Sequence, residues 1–311
     1  MVVQPMNKLI LSLGYIATHA RVCLVLGLLA GLVLQDLAQA MRPHLPSMVA
    51  FLLFLSAVRI GPRAALGGLR DAKRALVSVL VLQLGLPLFV LVLYLLTGLY
   101  DNLYALAFLL MLSAPSITGN QNFAAIMGHD PAPLMRLLIL GTALFPLTVI
   151  PTLWLVTGLG EFAAIATATL RLVFVIALAV AAGFALRHLI LPQANDEQIK
   201  AIDGANALIL SIVVIGLMSA VGPTLTSDPW YLLGWIGAVL VMNFGMQLVV
   251  YHTTGAVDLA LVAGNHNVAL FLVALPSEIV APLLIFIGCY QVPMYLTPIV
   301  MDRIYGRSIS S

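Results

Sequence analysis

Two tetrapeptides carry most of the polar chemistry in this chain: Gly119-Asn120-Gln121-Asn122 and Gly264-Asn265-His266-Asn267. Each is followed by an apolar residue and an alanine, Phe123-Ala124 and Val268-Ala269, and each is sunk in an apolar run. Amides donate and accept hydrogen bonds, and an imidazole can also carry a proton, so the chemistry on offer is binding. Catalysis inside a membrane would need a buried Asp pair, a Ser-His arrangement or HExxH, and none is present. In hydrocarbon an unpaired polar group costs several kcal/mol. A glycine followed by three such side chains is therefore a poor continuation of a helix. Two helices broken at corresponding points of two half-chains point to a transporter's midplane site.

Composition supplies the hydrocarbon setting. Hydrophobic residues make up 62% and charged residues 8%, against about 45–50% and 25% in soluble domains. That implies an integral membrane protein, and at roughly 20 residues per span about ten helices fit. A net charge of +2 carries no nucleic-acid signal. Cys23 and Cys289 sit in apolar segments without CxxC or metal spacing and read as inert core thiols. No cleavable signal peptide is expected, because the first long apolar run reads as a full span.

The expected fold is all-α and integral to the membrane, with ten transmembrane helices as two inverted five-helix repeats. Residues 1–190 hold an interfacial N-terminal helix around Leu9–Leu13, spans 1 to 5 (22–40, 45–60, 75–97, 103–127 and 132–157) and span 6 (169–190). A cytoplasmic linker covers 191–204, and residues 205–311 hold spans 7 to 10 (205–221, 230–252, 257–275 and 279–300). Span 4 is expected to be interrupted at Pro115 to Asn122, and span 9 at the second tetrapeptide. Placing the N-terminus inside collects Lys8, Arg21, Arg59, Arg63, Arg70, Lys73, Arg74, Arg187, Lys200, Arg303 and Arg307 in cytoplasmic segments, and little more than Arg42 and Arg171 outside. The positive-inside rule then puts both termini in the cytoplasm, which requires an even number of spans and suits a cell inner (plasma) membrane protein. Spans 4 and 9 run in opposite senses, as an inverted repeat demands.

In order, these features resemble the bile acid:sodium symporter family. The likeness rests on an early Leu-Gly-Leu span, on Pro46-Ser47-Met48-Val49-Ala50-Phe51-Leu52-Leu53-Phe54-Leu55-Ser56 closed by an arginine-rich loop, on Gln83 in span 3, on Ala114-Pro115-Ser116 entering a broken span 4, and on Gly264-x-x-Asn267 in span 9. The resemblance implies a core of spans 3–5 and 8–10 (75–157 and 230–300) and a panel of spans 1, 2, 6 and 7. It implies that spans 4 and 9 cross at their unwound centres and that a small organic anion binds beside the crossing.

Departures from the family pattern bear on the coupling ion. The family's sodium-ligating glutamate two residues before the span 9 glycine is Val262 here, and its two hydroxyl ligands in span 5 fall on Leu134 and Leu138. Its serine-asparagine in span 4 becomes Asn120-Gln121, and its span 9 glutamine becomes His266. All twelve acidic residues fall in loops or at span ends. Hard cations favour carboxylate and carbonyl oxygens, so no metal site or cofactor is expected and sodium is doubtful.

The candidate site at the crossing comprises Ser116, Thr118, Gly119, Asn120, Gln121, Asn122, Gly264, Asn265, His266 and Asn267, with Gln83, Arg136 and Asn243 in support. Each has two readings. The amides either satisfy backbone opened by Gly119, Gly264 and Pro115 or contact substrate. Ser116 and Thr118 can cap a helix end whose dipole attracts a carboxylate or sulfonate. Arg136 either snorkels to the cytoplasmic surface or supplies a tethered charge where a sodium would sit. His266 either carries a coupled proton or stays a neutral hydrogen-bond partner. Asn243 and Gln247 face either packed core or the cleft. The chain reads as a secondary transporter of an organic anion by alternating access. Alternatives are a sodium symporter with a non-standard ion site, and a facilitative or proton-coupled carrier using His266. The partners expected are the anion and the lipid bilayer.

Overall fold

The computed structural model describes residues 3–67, 72–155 and 162–306. Arg70, Arg307 and the end of the expected span 5 at Thr157 lie outside the described residues. The described chain is helical, and its one extended pairing is a bridge between Ser116 and His266. In order the helices are α1 (Val3–Thr18), α2 (Ala20–Val33), α3 (Gln35–Met41), α4 (Leu45–Gly67), α5 (Ala72–Leu80), α6 (Leu86–Thr97), α7 (Leu103–Ser113), α8 (Gly119–Ile126), α9 (Ala132–Thr148) and α10 (Ile150–Leu155). They continue as α11 (Phe162–Ile190), α12 (Asp196–Leu217), α13 (Val221–Ser227), α14 (Pro229–Thr254), α15 (Val257–Gly264), α16 (Phe271–Ala274), α17 (Ser277–Val280), α18 (Leu284–Cys289), α19 (Gln291–Val300) and α20 (Asp302–Tyr305). A π-helical turn, Val81–Gly85, joins α5 to α6.

Among the described residues seven helical stretches are long and apolar enough to cross a membrane: Gln35–Ala65, Lys73–Thr97, Ala132–Trp154, Ile165–Ile190, Asp196–Ser227, Pro229–Thr254 and Ser277–Tyr305. Lys8–Thr18 and Ala20–Val33, bent by 76°, make an eighth if counted as one span. Large apolar side chains such as Phe89, Leu96, Phe174, Leu178 and Val241 stand exposed along them, which in a helical chain marks contact with lipid.

Several boundaries differ from those expected. The segment around Leu9–Leu13 is a 16-residue helix packed along α12, so close that a methyl group on Gly204 would collide with the Leu13 backbone. Span 1 ends at Val33, where Leu34 (φ −94, ψ 67) turns the chain into α3. Span 2 runs on to Gly67, kinked at Gly61, whose φ of 72 is glycine conformation and which precedes Pro62. The linker closes at Asn195, because a capping box starts α12 there. The Asn195 side chain accepts from Gln198 N at 2.9 Å and Gln198 Oε1 accepts from Asn195 N at 3.1 Å, with Asp196 and Glu197 at the positive helix end.

The chain forms two compact units. One comprises Met1–Leu66 and Phe174–Pro229, the other Gly67–Val173 and Trp230–Ser311. In the first, Gly27 and Gly31 let α2 lie against α12, since a Cβ on either would meet Ser211, Ile215 or Met218 at under 3 Å. Arg59 Nε donates to Asp203 in the same unit. In the second, α5 packs on α9, and α15 packs on α8 and α9. Their shared core holds Val79, Leu82, Ala124, Met127, Leu134, Leu137 and Ala260 to Ala263.

Candidate functional site

Within the second unit two helices come apart. α7 ends because Ala114 is extended (φ −76, ψ 151), the conformation a following proline imposes, and helix resumes only at Gly119. α15 ends at Gly264, after which Asn265 (φ −117, ψ 92) is extended and a helical turn restarts at Val268. The breaks lie antiparallel to each other. Ile117 N donates to Asn265 O at 3.2 Å and Asn267 N to Pro115 O at 2.7 Å, bracketing the Ser116–His266 pair. Backbone groups opened by one break thereby satisfy those opened by the other, as an apolar setting requires.

The two tetrapeptides do not occupy like positions, contrary to expectation. The second straddles the end of α15, whereas the first is the opening turn of α8. Pro115 sets the break upstream, over residues 114–118, and nothing then prevents Gly119 to Asn122 from being helical.

At the first break, buried Asn120 donates from Nδ2 to Ser116 Oγ at 2.9 Å and to Asn265 O at 3.2 Å. A carbonyl oxygen only accepts, so this fixes the amide's orientation and leaves Asn120 Oδ1 buried without a hydrogen-bond partner. Gln121 is buried beside it, while Asn122 is exposed and does not join the group. Thr118 stands at the N-cap with helical dihedrals and its side chain makes no capping bond. Ser116 likewise serves Asn120 and the Ile117 carbonyl instead of capping.

At the second break the polar side chains form a directional network. Asn243 Nδ2 donates to Gly264 O and, at 3.1 Å, to Asn265 Oδ1, and Asn243 Oδ1 accepts from Gln247 Nε2 at 2.7 Å. Thr297 Oγ1 also donates to Asn265 Oδ1, at 3.1 Å, and Asn265 Nδ2 donates to Leu261 O at 3.2 Å. Tyr305 Oη donates to Gln247 Oε1 at 2.9 Å, and Tyr290 Oη donates to Gly264 O while accepting from His266 N at 3.2 Å. Asn243 and Gln247 therefore face packed core. Tyr290, Thr297 and Tyr305 were missed in the sequence; a tyrosine and a threonine deep in an apolar span were the available signal. Buried His266 places Nδ1 2.7 Å from Ala114 O and Nε2 3.0 Å from Ala263 O.

The remaining candidates stand on other elements, Gln83 near Pro115 of the first break, since a Cβ on Gly141 would meet both of them. Gln83, buried in the π turn, donates to Gly141 O at 3.0 Å and Thr148 Oγ1 at 2.9 Å, so it ties α9 to its neighbour. Arg136 lines a small open cavity with Arg74, Ser78 and Asp258, where α9 and α15 begin. Leu134 and Val262 pack in one apolar cluster, and Leu138 is buried too. At these positions the side chains end in methyl groups and bring no oxygen of their own. Among the described residues no three His, Cys, Asp or Glu side chains gather as a metal site.

Fold and site together define an all-helical, multi-pass membrane protein with a polar junction inside one unit. Compared with known proteins, the chain matches no family model and no curated protein.

Proposed function

We propose that this chain is a secondary transporter of a small organic anion, working by alternating access around the junction of the two broken helices, and similar in plan to the bile acid:sodium symporter family without its sodium sites. The observation that carries this reading is the antiparallel backbone pairing of the two breaks, because non-helical backbone at membrane depth marks binding sites in transporters. Adding the broken pairs α7–α8 and α15–α16 to the eight spans counted by length gives ten, the number two inverted repeats of five require. The two compact units are compatible with a panel and a core. The opening turn of α8 presents a positive dipole end beside the crossing, which suits a carboxylate or sulfonate. The protein binds and moves its substrate without catalysis, in an inner (plasma) membrane with both termini cytoplasmic.

A thermal-shift screen of purified protein against organic acids, run in sodium and in choline, tests this. The expected result is stabilisation by a carboxylate or sulfonate to the same extent in both salts. Stabilisation that saturates with millimolar sodium would replace it with the sodium-coupled alternative, and no stabilisation by any anion would overturn it.

A further inference from the structure

The His266 ring is held by two groups of one kind. Nδ1 faces the Ala114 carbonyl at 2.7 Å and Nε2 faces the Ala263 carbonyl at 3.0 Å. A carbonyl oxygen can only accept, so each contact needs an N–H, and a neutral imidazole has one N–H to give. Only the imidazolium makes both bonds. The neutral ring would instead point a nitrogen lone pair at an oxygen lone pair.

The two carbonyls also sit at particular places. Ala114 is the C-cap of α7 and Ala263 lies in the last turn of α15, so the negative ends of two helix dipoles converge on one ring. Half-helix C-termini at an unwound centre are the groups transporters use to hold a sodium ion or a proton. Burial opposes a charge here, and the two oriented carbonyls act against that cost. The other groups facing the ring are uncharged. Tyr290 bonds the His266 backbone N–H and donates its own proton to Gly264 O; Cys289 adjoins it, and Tyr295 lies further along α19. α7, the first break and α8 contain no titratable side chain beyond Tyr104 near the start of α7, and α14 has only Tyr231, Tyr251 and His252 near its ends. On the ring's own helix the one charge is Asp258, in the first turn of α15 next to Arg74.

We propose that His266 is the proton-binding site of this protein, protonated while its ring bridges the ends of the two broken helices and deprotonated when either carbonyl moves away. The fixed cation fills the role from which Leu134 and Val262 exclude a sodium ion, and it ties one proton to the geometry of the junction. The transport consequence rests on the carrier reading above; the protonation itself does not.

The test is ¹⁵N NMR of histidine-labelled protein in nanodiscs, using a variant in which His19, His44, His129, His188 and His252 are replaced by Gln so that His266 alone reports. At about pH 6.5, where a free histidine is half protonated, both ring nitrogens should carry protons, and adding base should collapse the signal to one tautomer. A single neutral tautomer throughout the range from about pH 5 to about pH 8 would overturn the proposal. Should the fivefold variant not fold, the wild-type spectrum minus that of His266→Gln gives the same reading. Doubly protonated His266 in a protein that binds no organic anion would sink the carrier reading and leave this one standing.

Discussion

A methyl group at Gly264 would run into the Gln247 side chain and lie 2.5 Å from Asn243 O. At Gly119 the nearest neighbour, Ile117 Cδ1, would be 3.4 Å away. Near-identical tetrapeptides thus predict opposite outcomes. Gly264→Ala must push α14 off the break and should cost about 1–3 kcal/mol or more by overpacking. Gly119→Ala, at the first position of α8, should be neutral or stabilise by up to about 1 kcal/mol through helix propensity. Thermal unfolding of the two variants in one detergent checks this, and equal losses would mean that the glycines share a role after all. The kinship of the two motifs was legible in the sequence because polar residues stand out in an apolar run. Their different placement was not, because it depends on Pro115, four residues upstream of the first glycine, which ends α7 and leaves the glycine free to open a helix.

Spans were the most legible elements, since a long uninterrupted apolar run has few other uses. Their ends were harder to read, because short polar contacts decide them. The stretch 191–204 looks like a soluble linker by composition, yet the Asn195–Gln198 capping box begins α12 inside it. Replacing Asn195 with Ala should cost about 1 kcal/mol and fray the first turn, read as faster amide exchange at residues 197–199; unchanged exchange would show that packing against α1 and α2 holds that end by itself. Gln83 illustrates a role that spacing cannot reveal. The π turn aims this expected supporting residue at Gly141 and Thr148 of α9. Gln83→Leu should cost about 1–2 kcal/mol of stability for two lost bonds, read as a lower melting temperature, while leaving any anion-induced stabilisation intact. Loss of that stabilisation with an unchanged melting temperature would return Gln83 to the site.

For the whole molecule the number of crossings decides the placement of the ends. Seven helices qualify by length and apolarity alone, and an odd number would leave the termini on opposite faces. The bent pair Lys8–Thr18 and Ala20–Val33 makes an eighth if counted as one span, and on the carrier reading proposed above α7–α8 and α15–α16 would add two more, each half being too short to count by length. Charge placement leads to the same parity independently. With Lys8 and Arg21 before span 1, Arg59, Arg63, Lys73 and Arg74 between spans 2 and 3, Arg187 and Lys200 between spans 6 and 7, and Arg303 in the tail, an even count puts these basic residues on one side and leaves Arg42 and Arg171 on the other. Seven crossings would scatter them over both faces. A cytoplasm-active fluorescent reporter and a periplasm-active phosphatase, fused in turn after Gly306, should give fluorescence and no phosphatase activity, and the same pair fused before Met1 should behave alike. Phosphatase activity at one end alone would mean an odd number of crossings. The α7–α8 and α15–α16 segments would then not both span, and the paired breaks would lose the opposed orientation on which the carrier reading depends.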